Sequence, residues 1–196
     1  MNQPSKKIDP KKTALLLMDY QSGIIGRIPN SDALLERAAQ TIVAARRHGV
    51  CVGYVRVAFD EADVKAIPTT NKAFSRLAQT IDAFRSDAPA TQIDARVSPQ
   101  PGDIIVRKTR VGAFLTTNLN QRLELAGITT LILAGISTSG VVLSTVRDAA
   151  DRDYHLFVVS DACADPDPEI HEFLLNRIYP NQADVIASAD VDGLFC

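Results

Sequence analysis

The chain has 196 residues, 46% of them hydrophobic and 22% charged, with a formal net charge of −2. That balance describes one globular domain with a single core, offers no basic surface for nucleic acid, and contains no apolar run of membrane-spanning length. Cys51, Cys163 and Cys196 are odd in number and lack CxxC spacing, which argues against a disulfide framework or a structural zinc site. With no charged-then-apolar leader, a reduced, cytoplasmic protein is the expectation.

Residues 1–12 are polar and lysine-bearing and read as a loosely held tail, leaving 13–196 as one domain. Thr13 to Met18, TALLLM, reads as a strand buried on both faces, and Asp19-Tyr20-Gln21 follows it. A carboxylate closing so apolar a strand is costly unless paired, so Asp19 is either a structural cap or ion pair, or a catalytic group at the edge of the sheet. Asn30 or Ser31 is placed to cap a helix that buries Leu34, Leu35, Ala38 and Ile42 and stops near His48 at Gly49.

Val50 to Val57 forms the second strand. The stretch 58–100 carries weaker patterning, with helical turns expected near Ala73–Phe84 and a lid or interface role. Asp103 to Arg107 is a short third strand and Lys108 follows it. A helix from about Thr117 passes through Leu119, Leu123 and Leu125 to Gly127. Thr129 to Gly135 is the most apolar strand, and the small-residue turn Ser137-Thr138-Ser139-Gly140 leads into a helix carrying Val141, Val142, Thr145, Val146 and Ala149. The hydroxyls of that turn are positioned to cap the helix, and its backbone N–H groups to hold an anion.

His155 to Ser160 is a fifth strand closed by Asp161. Asp167 caps a helix with Pro168 at its first position, and Ala183 to Ala187 is the last strand. Repeated βαβ units of this kind predict a three-layer αβα fold on an open, mainly parallel six-stranded sheet. Asp19, Lys108 and the Ser137–Val141 turn each follow a strand, so a parallel sheet places all three at one edge.

Three active-site patterns compete for the turn. A phosphate loop needs lysine where Val141 stands. A serine nucleophile elbow lacks its closing glycine, although Ser137 or Ser139 with His171 keeps a serine triad open. The third is a resemblance. Gly135, Ile136, Thr138, Val142 and Thr145, the Asp19-x-Gln21 element, Lys108 with Ala113-Phe114, and Asp161-Ala162 together resemble the isochorismatase-like (cysteine hydrolase) family.

The resemblance implies a Rossmann-like hydrolase domain, often homo-oligomeric, acting on a small molecule. It places Asp19 and Lys108 in catalysis and Gln21, Phe114, Ile136, Ser137, Thr138 and Gly140 at the substrate. It also implies that the peptide bond before Ser137 is cis. Val141 occupies the position of the family's nucleophilic cysteine, so thiol chemistry at this turn does not carry over. Isochorismatases also lack that cysteine, and the expected role for Asp19 is therefore general acid or base, assisted by Lys108. Cys163, near the same edge, is a weak replacement.

No metal or cofactor is implied: the nicotinamidase relatives carry histidines after the second strand, where this chain has Ala58-Phe59-Asp60. Arg56 and Arg110 are candidate partners for a substrate carboxylate. The alternative class is a catalytically silent relative that binds a small anion or serves as an assembly subunit.

Overall fold

The computed structural model describes residues 7–77 and 84–195. Six strands form one sheet: β1 (Thr13–Met18), β2 (Cys51–Val57), β3 (Ile104–Lys108), β4 (Thr130–Ile136), β5 (His155–Ala164) and β6 (Asp184–Ile186). They lie in the order β3-β2-β1-β4-β5-β6, and every pairing is parallel. The strand order reverses between β1 and β4. In a parallel sheet that switch point opens a crevice at the carboxyl ends of the two strands.

Both central strands are buried along their whole length. Their side chains alternate between two cores, as the two-residue period of a strand requires. Leu15, Leu17, Ile132 and Ala134 face one core with Leu35, Ala38 and Ala45 of α2 (Ser31–Arg47). Leu16, Met18, Leu131 and Leu133 face the other, with Leu119 and Leu123 of α5 (Leu119–Leu125) and Val146 and Ala149 of α6 (Leu143–Ala150). Each fully buried leucine contributes about 1.5–3 kcal/mol, so the two central strands that flank the crevice are firmly held. The remaining helices are short: α1 (Ser22–Ile25), α3 (Glu61–Lys65), α4 (Lys72–Leu77) and α7 (Pro168–Phe173).

Several local expectations are corrected. Residues 7–12 are anchored rather than loose. Ile8 is buried and its N–H donates to the Leu194 carbonyl at 3.0 Å, while Asp9 caps a short 3₁₀ turn, Pro10–Lys12. Asn30 stands before α2 but makes no side-chain cap, because its backbone is left-handed (φ 54°) and cap bonds need an extended residue there. Gly49 ends α2 with φ 72°, a conformation that glycine adopts without strain. Of the helical turns expected near Ala73–Phe84, α4 covers the first part, and residues 78–83 lie outside the described residues.

β5 runs four residues past its expected end. Leu133 pairs with Val158, but Gly135 pairs with Cys163, so a bulge intervenes. Asp161 therefore does not close the strand. Its carboxylate accepts from the N–H and hydroxyl of Ser188, both at 2.7 Å, and fixes the C-terminal 3₁₀ turn.

Candidate active site

β1 delivers Asp19 to the crevice with a sharp change of direction. The residue has φ 62°, a left-handed backbone that aspartate tolerates better than most side chains and that is costly without support. Support comes from its N–H, which donates to the Val55 carbonyl at 2.8 Å. The carboxylate is buried. Oδ2 lies 2.8 Å from Lys108 Nζ, while Oδ1 has no hydrogen-bond partner among the described residues. Burial raises the Asp19 carboxyl above its ordinary range, against the opposing pull of the Lys108 charge.

Lys108, the last residue of β3, is equally buried. Its ammonium also donates to the Val111 carbonyl at 2.8 Å and to the Arg110 carbonyl at 3.3 Å. An ammonium has three donors, and all three are engaged. The pair is thus a neutral unit buried in the wall, in which one oxygen alone remains unsatisfied.

β4 delivers the turn. The Ile136–Ser137 peptide is cis, and the Ser137 carbonyl accepts from the N–H groups of Gly140 and Val142, each at 3.2 Å. The chain continues through a π-type turn, Thr138–Val142, before α6 begins, so the helix starts two residues later than expected. Serine hydroxyls do not cap it. The Ser139 N–H donates instead to Asp165 Oδ2 at 2.7 Å, from the loop after β5. Gly135 lets the elements close together: a Cβ there would lie 3.0 Å from both the Cβ and the carbonyl oxygen of Met18.

Asp19, Lys108, Ile136, Ser137, Gly140 and Val141 all line one cavity of about 280 Å³. Its remaining walls are mainly apolar: Ile24 in α1 and Ile28 just beyond it, Val57 at the end of β2, Val111 after β3, and Phe74, Phe84 and Pro166. Arg27 completes the lining. Sequence reading missed Arg27, although a lone cation inside the apolar stretch Ile24–Ile28 is a detectable signal.

Three expected substrate contacts have other roles. Gln21 is buried behind the wall, where its amide donates to the carbonyls of Val57 and Thr91, both at 2.8 Å, and accepts from the Val57 N–H at 2.7 Å. It ties β1 to β2 with both amide hydrogens donated to backbone carbonyls and its side chain buried. Phe114 packs in the core, its ring 6.3 Å from that of Tyr154, which precedes β5. Thr138 is fully buried. Its hydroxyl pairs with His171 Nδ1 at 2.8 Å and its carbonyl accepts from Tyr179 Oη at 2.6 Å, so it fixes the turn from beneath.

The alternative nucleophiles do not assemble. His171 meets Thr138 rather than Ser137 or Ser139, which removes the serine triad. Burial pushes the Cys163 thiol up to about 12, so no thiolate forms there at neutral pH. Arg56 donates to the Ser86 and Thr91 carbonyls, and Arg110 to the Thr109 carbonyl; neither lines the cavity. Among the described residues, no group of three His, Cys, Asp or Glu side chains converges on a metal position. No helix among them is long and apolar enough to cross a membrane.

A parallel α/β domain with a buried Asp–Lys pair beside the cavity at its switch point has the architecture of a protein that binds a small molecule there. The profile of the isochorismatase domain matches residues 13–190, and the chain belongs to the isochorismatase family. It is 32% identical over 189 residues to YecD, an isochorismatase family protein of Escherichia coli O157:H7, covering 91% of this chain and 94% of that one. It is 29% identical over 192 residues to the ureidoacrylate amidohydrolase RutB of Methylobacterium radiotolerans, covering 87% and 74%. An isochorismatase family structure from Burkholderia thailandensis superimposes with a TM-score of 0.81 at 28% identity, covering 96% of this chain and 97% of that one.

Proposed function

We propose that the protein is a hydrolase of a small molecule that works without a cysteine nucleophile, with Asp19 as general acid or base and Lys108 as its charge partner. The observation that carries this reading is Asp19, a residue of the cavity lining whose buried Oδ1 has no hydrogen-bond partner among the described residues. A buried polar atom left unsatisfied costs about 1–3 kcal/mol, a cost that a proton shared with substrate or water removes. Membership of a family that includes amidohydrolases supports the hydrolytic class.

With a vinyl ether, protonated Asp19 gives its proton to the alkene carbon. Water adds to the resulting oxocarbenium carbon as the Asp19 carboxylate takes its proton back, and the hemiketal releases an alcohol and a carbonyl compound. With an amide, the Asp19 carboxylate takes a proton from water as the water oxygen attacks the carbonyl, and the proton then passes to the leaving nitrogen. Lys108 stabilises the carboxylate form in either case, while burial favours the acid. Ile136, Ser137 and Gly140 are assigned to the substrate from their place in the lining, and Val141 to an inert wall at the position of the family's cysteine.

The reading also takes the protein to be cytoplasmic and homo-oligomeric; light scattering that reports a monomer would remove the second part. The test of function is turnover against vinyl ethers, amides and carbamoyl compounds, compared with Asp19→Asn. Turnover that the variant lacks is expected. A complete absence of turnover would leave a silent anion-binding relative.

A further inference from the structure

We propose that His171 is a positioning residue of this site. It holds the Ser137–Val141 turn in place by accepting the Thr138 hydroxyl proton at Nδ1, and does so only while its imidazole is neutral. The consequence for turnover rests on the hydrolase reading above; the positioning itself rests on hydrogen bonds that need no substrate.

The turn lines the cavity through Ser137, Gly140 and Val141, but the side chains that hold it stand outside the lining. Three bonds reach it from the segment after β5. Asp165 Oδ2 accepts from the Ser139 N–H at 2.7 Å, Tyr179 Oη donates to the Thr138 carbonyl at 2.6 Å, and His171 Nδ1 meets the Thr138 hydroxyl at 2.8 Å. Two of the three are joined through α7. Asp165 Oδ1 accepts from the Asp167 N–H at 3.2 Å, and Asp167 caps α7 by accepting from the N–H groups of Glu169 and Ile170. The His171 N–H donates back to the Asp167 carbonyl at 3.0 Å. Ser139, Asp165, Asp167, His171 and Thr138 therefore form a closed circuit, and a shift at His171 is felt at the cavity wall.

The direction of the His171 bond follows from burial. Thr138 is fully buried, and its hydroxyl has no other partner among the described residues. A buried hydroxyl proton needs an acceptor, and an imidazole with its single proton on Nε2 supplies one at Nδ1. Imidazolium carries a proton on both nitrogens. It would have to donate to Thr138, leaving the hydroxyl proton buried with no acceptor. The surroundings favour the neutral ring. The carboxylates that face it are Asp165, from the loop after β5, and Glu172, from α7 itself; both favour imidazolium, yet burial outweighs them and lowers the pKa. The turn contributes no charged side chain, and burial keeps the Tyr179 phenol neutral.

The test begins with nitrogen-15 NMR of the wild-type imidazoles and turn amides as pH is lowered. At neutral pH, His171 should show a bare Nδ1 and a protonated Nε2. The amide signals of Ser139 and Gly140 should move with the His171 midpoint, and that movement should vanish in His171→Asn. Thr138→Val removes the bond to the neutral ring, so the midpoint should rise by about 0.5–1 pH unit. A proton on Nδ1 at neutral pH, turn amides indifferent to His171, or a midpoint unmoved in Thr138→Val would overturn the proposal. Turnover is read separately. For whichever compound is turned over, the rate should fall as pH drops through the His171 midpoint. His171→Asn keeps an acceptor and does not titrate, so it should lack that limb and recover most of the roughly 10–10²-fold loss expected in His171→Ala. A limb that persists in His171→Asn counts against the positioning role. An intact amide response with no turnover of any vinyl ether, amide or carbamoyl compound would count against the hydrolase reading and leave the positioning of the turn standing.

Discussion

Lys108 Nζ lies 2.8 Å from Asp19 Oδ2, with both side chains almost wholly removed from solvent. Two charges in such a place are stable only together: the desolvation cost of each is offset by the other and by the two carbonyls that complete the ammonium's shell. The pair joins the end of β3 to the end of β1 across β2. The site is therefore sensitive to small changes anywhere along that edge.

Breaking the pair on one side should separate stability from chemistry. Lys108→Met leaves a buried carboxylate without its counter-charge and should cost about 3–5 kcal/mol in urea denaturation. Adding Asp19→Asn to that variant should recover much of the loss. Asp19→Asn alone should lower turnover by about 10²–10⁴-fold, because the amide neither gives nor accepts the proton. A single Lys108→Met variant as stable as wild type, or full activity in Asp19→Asn, contradicts the assignment.

The dependence of rate on pH should carry the signature of Asp19. Burial raises this carboxyl above its ordinary 3.8, so the folded protein holds the proton more tightly than the unfolded chain does. Its protonated form stabilises the fold most fully below the ordinary value, and that contribution fades as pH rises through the raised one. A general acid follows the same direction: kcat/KM for a vinyl ether should fall as pH rises through the shifted value, whereas for an amide it should rise. A limb centred at or below 3.8, or one that persists in Asp19→Asn, argues against Asp19 as its source.

Thiol chemistry offers an independent check. Because the Cys163 thiol is buried and pushed up to about 12, activity should survive iodoacetamide at neutral pH; inactivation that tracks modification of Cys163 refutes a cysteine-free mechanism. Val141→Cys places a thiol in the cavity with little change in volume, beside the Asp–Lys pair. That thiol should be alkylated faster than a free cysteine at neutral pH, and faster than in the same variant carrying Lys108→Met. A rate equal to free cysteine means that the turn no longer supports a thiolate.

The packing of the turn against β1 should be intolerant of added volume. In Gly135→Ala the new methyl would lie 3.0 Å from two atoms of Met18 and 3.1 Å from Val142 Cγ2, on the strands least able to move. The expected loss is about 1–3 kcal/mol, read from denaturant midpoints at constant slope. An unchanged midpoint would show that the elements have room to part.

The sequence by itself determined the sheet and the edge at which the candidate site lies. Runs such as TALLLM are periodic and apolar enough to define buried parallel strands, and a parallel sheet puts the residues just beyond each strand's carboxyl end on one side. Asp19 and Lys108 were legible for that reason, as charges at the ends of apolar runs. Which neighbouring residues face the cavity was decided only by tertiary structure. Gln21 lies two residues after Asp19, yet its amide finds the backbone of Val57 and Thr91 and turns away from the ligand space. The bulge in β5 lets the strand run past Asp161, which was expected to close it, and Asp165 accepts from the Ser139 N–H, one of the turn's N–H groups expected to hold an anion. Arg27, by contrast, was brought into the cavity by a short turn after β1, next to a ring distant in sequence. Strand patterning is a local consequence of burial on two faces. The direction of one side chain depends on hydrogen-bond partners that the chain brings near only once it is folded.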